Sequence, residues 1–258
     1  MCCFSRPINS VTQTKIFARL ITRQNQSIAY QMRLDTPEDV AMILPLPIVE
    51  GSKEDSVKFI DLSGYEDFFK DLKKGFPEPP PPARSNSYDS VKQIAGALKV
   101  QTVGSFEASF VPTIADFSRL DKRFKLPDGT WEKIPAYKDH GFAVFKLKKG
   151  SKKIHPMAFS FPSRLARKAQ LFFPTVHIHD GKVHKKENFD HHLYAQTWLK
   201  AGLRSIDGWI ESEKLASQFT DVEKSKKLIW GGGHVYLRKI HGRTGNIDII
   251  AQPVAIGG

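Results

Sequence analysis

The side chains in this sequence best suited to chemistry are a group of histidines. His177 and His179 alternate with apolar residues, and Asp190, His191 and His192 follow a short distance along the chain. Because side chains on a strand point alternately to opposite faces, His177 and His179 should share one face. If the segment that contains His191 and His192 is extended, only one of these two can join that face. Imidazole nitrogens bind zinc or copper, so this spacing predicts a transition-metal site, with Asp190 as a ligand or an orienting partner. The competing interpretation is a strand that carries ordinary hydrogen-bonded histidines.

Two adjacent cysteines, Cys2 and Cys3, are the only thiols of the chain. Either could add a sulfur ligand to a metal that the histidines hold. Frayed termini would expose thiols to oxidation, so we predict that residues 2–4 pack against the body of the fold. In that prediction Phe4 is the apolar anchor and at least one cysteine is buried. The alternative is that the cysteines are small buried apolar side chains with no ligand role.

The charge of the chain is strongly positive and unevenly distributed. The net charge is +12, and residues 121–186 hold sixteen Lys or Arg against five Asp or Glu. Such a segment can bind nucleic acid or an anionic surface. No arginine-rich helix, aromatic RNA-binding pair or zinc-finger spacing accompanies the charge, so we favour a solvated hairpin that turns at residues 149–151.

Length and composition are those of a globular protein. The chain has 258 residues, of which 40% are hydrophobic, enough for one large core or two modest ones. No apolar run is long enough to predict a membrane-spanning helix. Polar residues interrupt the N-terminus almost at once, which argues against an export signal and predicts a cytoplasmic protein with reduced thiols.

The pattern along the chain predicts an α+β fold of mostly antiparallel β-sheet with a few short helices. Residues 14–19 and 27–34 alternate and should form a hairpin, and residues 40–47 are continuously apolar, as in a buried strand. Helical spacing appears at residues 64–74 and 114–124.

Three segments follow from these patterns, and we expect them to form one compact unit. Residues 1–76 form a β-rich half with one helix. Residues 77–90 are a Pro-rich connecting loop that should be extended and exposed. Residues 91–258 form a second β-rich half, which contains the basic segment and the histidines.

Several short stretches resemble an uncharacterised bacterial family, a domain of unknown function whose members usually carry a signal peptide and an N-terminal cysteine motif. The stretches cover the chain in order from residue 1 to about residue 180, and they are residues 14–17, 38–47, 103–107, 141–147 and 154–163. We predict no signal peptide at the start of this sequence, and its cysteines are adjacent, so it departs from the family's pattern in both respects. The resemblance implies a fold and no activity.

The first twenty residues are similar to the opening of N-terminal nucleophile amidases of the choloylglycine-hydrolase type. The matching residues are Met1-Cys2, Phe4-Ser5 and residues 16–19. The resemblance implies that removal of Met1 leaves Cys2 as the nucleophile, its own amine as the base, and Arg19 as an electrostatic partner. The acidic and aromatic residues that the family carries after this arginine are absent here.

The sequence therefore leaves three candidate functions. The leading prediction is a protein that binds zinc or copper through His177, His179 and one or both of His191 and His192, with Cys2 or Cys3 as an additional ligand. An open coordination position on such a metal would support hydrolysis or redox chemistry. The alternatives are an amidohydrolase that uses Cys2 and a non-enzymatic interaction protein with a basic surface.

Overall fold

The alternating and continuously apolar segments form strands, most of which belong to two large sheets. The computed structural model describes residues 2–77, 101–103, 106–121, 125–126, 129–180, 182–197 and 201–255. The strands are β1 (Cys2–Phe4), β2 (Ser10–Leu20), β3 (Asn25–Thr36), β4 (Val40–Leu46), β5 (Lys58–Asp61), β6 (Gln101–Val103), β7 (Phe106–Val111), β8 (Gly141–Leu147), β9 (Gly150–Lys153), β10 (Met157–Pro162), β11 (Leu171–Phe173), β12 (His177–Ile178), β13 (Lys186–Gln196), β14 (Ala201–Gly202), β15 (Ile210–Glu211), β16 (Tyr236–Gly245), β17 (Ile249–Ala251) and β18 (Val254–Ala255). Within the described ranges there is a single α-helix, α1 (Phe68–Lys74).

The two large sheets combine strands from distant parts of the chain. The six-stranded sheet has the order β12-β1-β4-β8-β7-β6, and the eight-stranded sheet has the order β15-β16-β13-β2-β3-β10-β5, with β9 also paired to β3. Most pairs are antiparallel, but β1 runs parallel to β12 and β2 runs parallel to β13. Both sheets mix strands from residues 1–76 with strands from residues 91–258.

Buried side chains form three clusters, which together cover both faces of the large sheets. The central cluster lies between the sheets and joins Met42 and Phe145 of one to Tyr30 and Phe159 of the other. A helix-side cluster packs α1, through residues such as Phe68, against the far face of the eight-stranded sheet. An outer cluster covers the far face of the six-stranded sheet. Because β4 is packed on both faces, every one of its residues is buried, which explains its continuous apolar sequence.

Several local predictions are confirmed. The predicted hairpin is β2 and β3, which pair from Ser10 opposite Asp35 to Leu20 opposite Gln26. The predicted buried strand is β4, and the first predicted helix contains α1, which begins after a 3-10 turn at Ser63–Tyr65. The described residues are mostly β with one α-helix, which agrees with the α+β prediction in its coarse form.

Two local predictions are corrected. The described part of the segment predicted as a helix over 114–124 forms a 3-10 turn at Ala115–Arg119, after which Leu120 is extended. Residues 122–124 of that prediction lie outside the described residues. Only Phe117 of this turn is buried, which leaves little packing energy to stabilise an isolated α-helix. The predicted hairpin turning at residues 149–151 does not form, because β8 pairs with β4 and β7 whereas β9 pairs with β3 in the other sheet. The Pro-rich loop predicted at residues 77–90 lies outside the described residues except for Pro77.

Candidate functional site: three imidazoles beside the N-terminal strand

The short strand β12 carries the first pair of histidines and is held on both sides. On one side it pairs with β1, with Cys2 opposite His177 and Cys3 opposite Ile178. On the other side the side chain of Asn246 forms the hydrogen bonds that a neighbouring strand would form. Its Oδ1 accepts the N–H of His177 at 2.7 Å, and its Nδ2 donates to the His177 carbonyl oxygen at 2.9 Å. Asn246 therefore satisfies both backbone groups of His177, which fixes the direction of its side chain.

Three imidazoles meet at this position, and we call them the imidazole triad: His177, His179 and His191. The Nε2 atoms of His177 and His191 lie 2.9 Å apart. The ring of His177 lies 4.7 Å from the ring of His179, centroid to centroid, and 4.7 Å from that of His191. Phe4 packs at 5.8 Å from His179, and Phe189 packs at 4.7 Å from His177. The triad is thus enclosed by aromatic side chains from β1 and β13.

The triad is held in its neutral form. His177 is 5% exposed and His191 is fully buried. Burial, together with the neighbouring imidazoles, lowers the pKa of His177 to about 2 and that of His179 to about 4. Burial also lowers the pKa of His191, and Asp190 opposes this shift. Neutral imidazoles each carry one donor and one acceptor, so the short Nε2–Nε2 contact is a hydrogen bond between two neutral rings.

Asp190 favours one direction for that hydrogen bond through its charge. Its Oδ1 lies 3.6 Å from Nδ1 of His191, an electrostatic contact longer than a hydrogen bond. The carboxylate also accepts the backbone N–H groups of Gln13 and Thr14. Burial opposes ionisation of Asp190, but His191 and these N–H donors outweigh it and lower its pKa to about 2. An ionised carboxylate favours the proton on Nδ1 of His191, so Nε2 of His191 accepts and His177 donates.

The structure brings together three of the predicted ligands and places His192 and Cys3 elsewhere. His192 points to the opposite face of β13, where its ring lies 5.7 Å from that of His241. This confirms that only one of His191 and His192 joins the first pair. Cys3 is fully buried in the outer cluster beside Ile178, on the other face from the triad. For Cys2 the structure describes the backbone, which pairs with His177.

The N-terminal packing prediction is confirmed. Phe4 is 2% exposed and belongs to the central cluster, while Cys3 is buried in the outer cluster. Phe4 and Cys3 therefore anchor β1 on opposite faces of the six-stranded sheet.

Arg19, the predicted partner of Cys2, has a different neighbourhood. It lies on β2 in the eight-stranded sheet, and its Nη1 donates to the carbonyl oxygens of Lys227 and Leu228 at 3.0 and 3.3 Å. The structure does not place Arg19 on a strand adjacent to β1. The role of Cys2 as a nucleophile with Arg19 stays a prediction.

The sequence did not reveal the residues that position the triad. Asn246 holds β12, and Asp248 accepts the N–H groups of Thr175 and Val176 at 2.8 and 3.0 Å and the hydroxyl of Tyr137 at 2.6 Å. Both are small polar residues close to the end of β16, a pattern that is also typical of ordinary turns. Their role depends on contacts with segments far away in the chain.

Two nitrogens of the triad lie close to the spacing that the predicted metal requires. Two imidazole nitrogens on a tetrahedral zinc ion, each at about 2.0–2.1 Å from it, lie about 3.3 Å apart. The Nε2 atoms of His177 and His191 are 2.9 Å apart, so this pair is close to the required spacing. Across the described part of the chain, however, no group of three or more His, Cys, Asp or Glu side chains is arranged to hold a metal ion.

The described residues contain no candidate membrane-spanning helix, and comparison with known protein sequences gives no match. No helix in the described ranges is long and apolar enough to cross a membrane. No protein-family model matches the chain, and no curated protein matches it. The resemblances drawn from short stretches of sequence stay predictions, as does the cytoplasmic location. Binding of nucleic acid or an anionic surface by residues 121–186 stays an alternative that the sequence does not favour.

Solved structures, in contrast, match almost the whole chain. The crystal structure of baculovirus P35 matches with a TM-score of 0.52 and 15% identity, over 95% of this chain and 97% of P35. This chain is similar in fold to P35. A structure of a mutated baculovirus P35 after caspase cleavage matches with a TM-score of 0.50 and 14% identity, over 94% of this chain and all of the other. At these identities the comparison establishes the fold alone.

Proposed function

We propose that this protein is a partner and substrate of a cysteine protease of the caspase class. The observation that carries the proposal is the likeness to P35 over nearly the full length of both chains, together with the caspase cleavage named for the second P35 structure. The proposal places this chain with the non-enzymatic interaction proteins. It requires an aspartate that such a protease can reach, because caspases cleave after aspartate.

The sequence offers one aspartate in the long segment between α1 and β6. Asp89, followed by Ser90, is the sole aspartate of residues 78–100. The proline-rich composition just before it predicts an extended, exposed chain, and proteases cut such segments preferentially. In this interpretation the protease thiolate adds to the carbonyl carbon of Asp89, and the amine of Ser90 leaves with a proton as the acyl-enzyme forms. Water then hydrolyses the acyl-enzyme and regenerates the thiol.

The chain contains a matched control for this cleavage. Asp55 is also followed by serine and is exposed. The N–H of Ser56 donates to the carbonyl oxygen of Lys53 at 2.9 Å, so Asp55 is part of a closed turn. A protease that needs an extended substrate should therefore cut after Asp89 and not after Asp55.

The experiment is incubation of the full chain with a panel of purified caspases. We expect cleavage between Asp89 and Ser90, detected by intact mass, and co-elution of both fragments with the protease on gel filtration. Asp89→Ala should abolish the cut, whereas Asp55→Ala should leave it unchanged. Absence of both cleavage and binding with every caspase of the panel would overturn the proposal, and equal cutting of the Asp89→Ala variant would refute the assigned site.

A second candidate function is uptake of zinc or copper by the triad. The specific observation in its favour is the 2.9 Å separation of two Nε2 atoms on neutral rings. They can share a metal ion once the proton on Nε2 of His177 moves to Nδ1 and the two nitrogens separate slightly. His179 offers a third donor, since its Nε2 is buried and has no hydrogen-bond partner among the described residues. A bound metal would polarise a water or, as copper, exchange electrons.

Metal analysis of protein purified without a His-tag tests this second candidate. We expect one zinc or copper ion per chain after reconstitution, and its loss in the His177→Ala/His179→Ala double variant. His184→Ala, which removes an exposed imidazole, is the control and should keep the metal. Clearly substoichiometric metal, together with unchanged stability on metal addition, would exclude this function.

A further inference from the structure

Arg19 is a partly buried cation whose charge is not neutralised by a described carboxylate. Its guanidinium donates to two backbone carbonyls, those of Lys227 and Leu228. No Asp or Glu in the described ranges lies within ion-pair distance of it. Burial lowers the pKa of Arg19, and no acidic side chain counteracts this effect. Neutral acceptors satisfy part of the guanidinium, but a fork with five donors retains capacity for an anion.

This arginine lines a cavity of about 730 Å³. The walls include Ile21, Ile229 and Trp230. Trp230 is 45% exposed and Ile21 is 38% exposed, so two large apolar side chains face solvent beside the cation. Cavities of this size with apolar walls and a few polar groups are typical of small-molecule sites.

The backbone that forms one wall of the cavity adopts an unfavourable conformation. Lys226 and Lys227 are consecutive residues with φ angles of 50° and 67°, in the left-handed region that favours glycine. This conformation is unfavourable for residues other than glycine, and such residues cluster at functional sites. The carbonyl oxygen of Lys227, which belongs to this turn, accepts a hydrogen bond from Arg19. The strained turn therefore holds the guanidinium in place at the cavity.

The charge of the lining is positive. Lys226 and Lys227 line the cavity with Arg19, and Glu223 is a lining residue of opposite sign. The ammonium of Lys226 lies 3.9 Å from a carboxylate oxygen of Asp61, which offsets one of the positive charges. The lining side chains carry two net positive charges, which Asp61 beside the cavity reduces to one, so the cavity favours an anion of low charge.

We propose that this cavity binds a small molecule that carries one carboxylate or phosphate on an aromatic or branched aliphatic body. The anion lies against Arg19 and the body lies against Trp230 and Ile21. This site is distinct from the imidazole triad and does not depend on the proposed protease partner.

Phenylacetate and phenyl phosphate are the probes, and phenylacetamide and acetate are the comparators that lack the charge or the ring. Binding to the full chain is followed by calorimetry and by tryptophan fluorescence. We expect saturable binding of at least one aromatic anion, about tenfold or more tighter than either comparator. The two aromatic anions together distinguish a carboxylate site from a phosphate site.

Three variants identify the residues responsible. Arg19→Gln should weaken the aromatic anion about tenfold or more. Lys224→Gln, which removes a charge from the same turn without lining the cavity, should change binding less than about twofold. Because Arg19→Gln could impair folding, Trp230→Ala at an exposed position serves as a second variant and should weaken binding about fivefold or more. Equal affinity for phenylacetamide, no effect of Trp230→Ala, or no saturable binding of either aromatic anion would overturn the proposal.

Discussion

Replacing His179 by phenylalanine should reduce the acid sensitivity of this protein. Nε2 of His179 is buried and forms no hydrogen bond to any described residue. Desolvation, reinforced by His191, lowers the pKa of His179 to about 4. Phenylalanine keeps the ring contacts with Phe4 and His177 and has nothing to protonate. The substitution thus removes a titrating group and loses no hydrogen bond.

The sign and size of the effect follow from proton linkage. In the unfolded chain the imidazole titrates near pH 6.5, so below that pH the unfolded state binds a proton that folded His179 does not. The free energy of unfolding therefore decreases as the pH falls through about 6.5, and the decrease stops near the folded pKa of about 4. At about pH 5 the cost is about 1.5 pH units at about 1.36 kcal/mol each, or about 2 kcal/mol. His177, with a still lower pKa, contributes a similar loss in both proteins.

Urea unfolding at about pH 7.5 and about pH 5 measures the difference. Wild type should lose about 2 kcal/mol more than His179→Phe between the two pH values. His184→Gln, at an exposed imidazole, is the control for loss of a histidine as such and should behave as wild type. If His179→Phe and wild type lose the same free energy within about 0.5 kcal/mol, His179 titrates as a solvated imidazole and the description of the triad as desolvated is wrong.

Three further predictions concern the elements that hold the triad and the sheets. Phe4→Ala should destabilise the protein by about 3–5 kcal/mol in urea unfolding, because Phe4 is buried in the central cluster, whereas Phe4→Leu should cost much less. Asn246→Ala should cost about 2–4 kcal/mol in the same assay, since it removes three hydrogen bonds to the backbone of His177 and His184 and leaves a buried N–H unsatisfied. Gly141→Ala should cost about 1–3 kcal/mol, because its Cβ would lie 2.6 Å from the ring of Phe110. Gly51→Ala is the control: its Cβ would meet nothing within 4 Å, but its φ is +75°, so its cost measures backbone strain without crowding.

Local patterns predicted the elements whose geometry depends on neighbouring residues. The alternation of β2 and β3 and the apolar run of β4 could be read directly, because the period of side chains along a strand is a property of the backbone. The same period predicted that His177 and His179 share a face and that only one of His191 and His192 joins them. It could not predict that the link at residues 149–151 crosses between sheets, because strand pairing depends on distant partners.

The sequence by itself determined which residues alternate, which are apolar, and that Phe4 would anchor the N-terminus. Only the tertiary structure decided that β1 lies parallel to β12. In this pairing Cys2 lies opposite His177 and Cys3 lies opposite Ile178, although the two strands are far apart in the sequence. In that register the side chain of Cys3 packs in the outer cluster, away from the imidazoles. It also fills the space beside His179 with the ring of Phe4. A shift of one residue between paired strands moves every side chain of the shifted strand to the opposite face of the sheet. The packing on both faces therefore determines the register, and neither strand determines it alone.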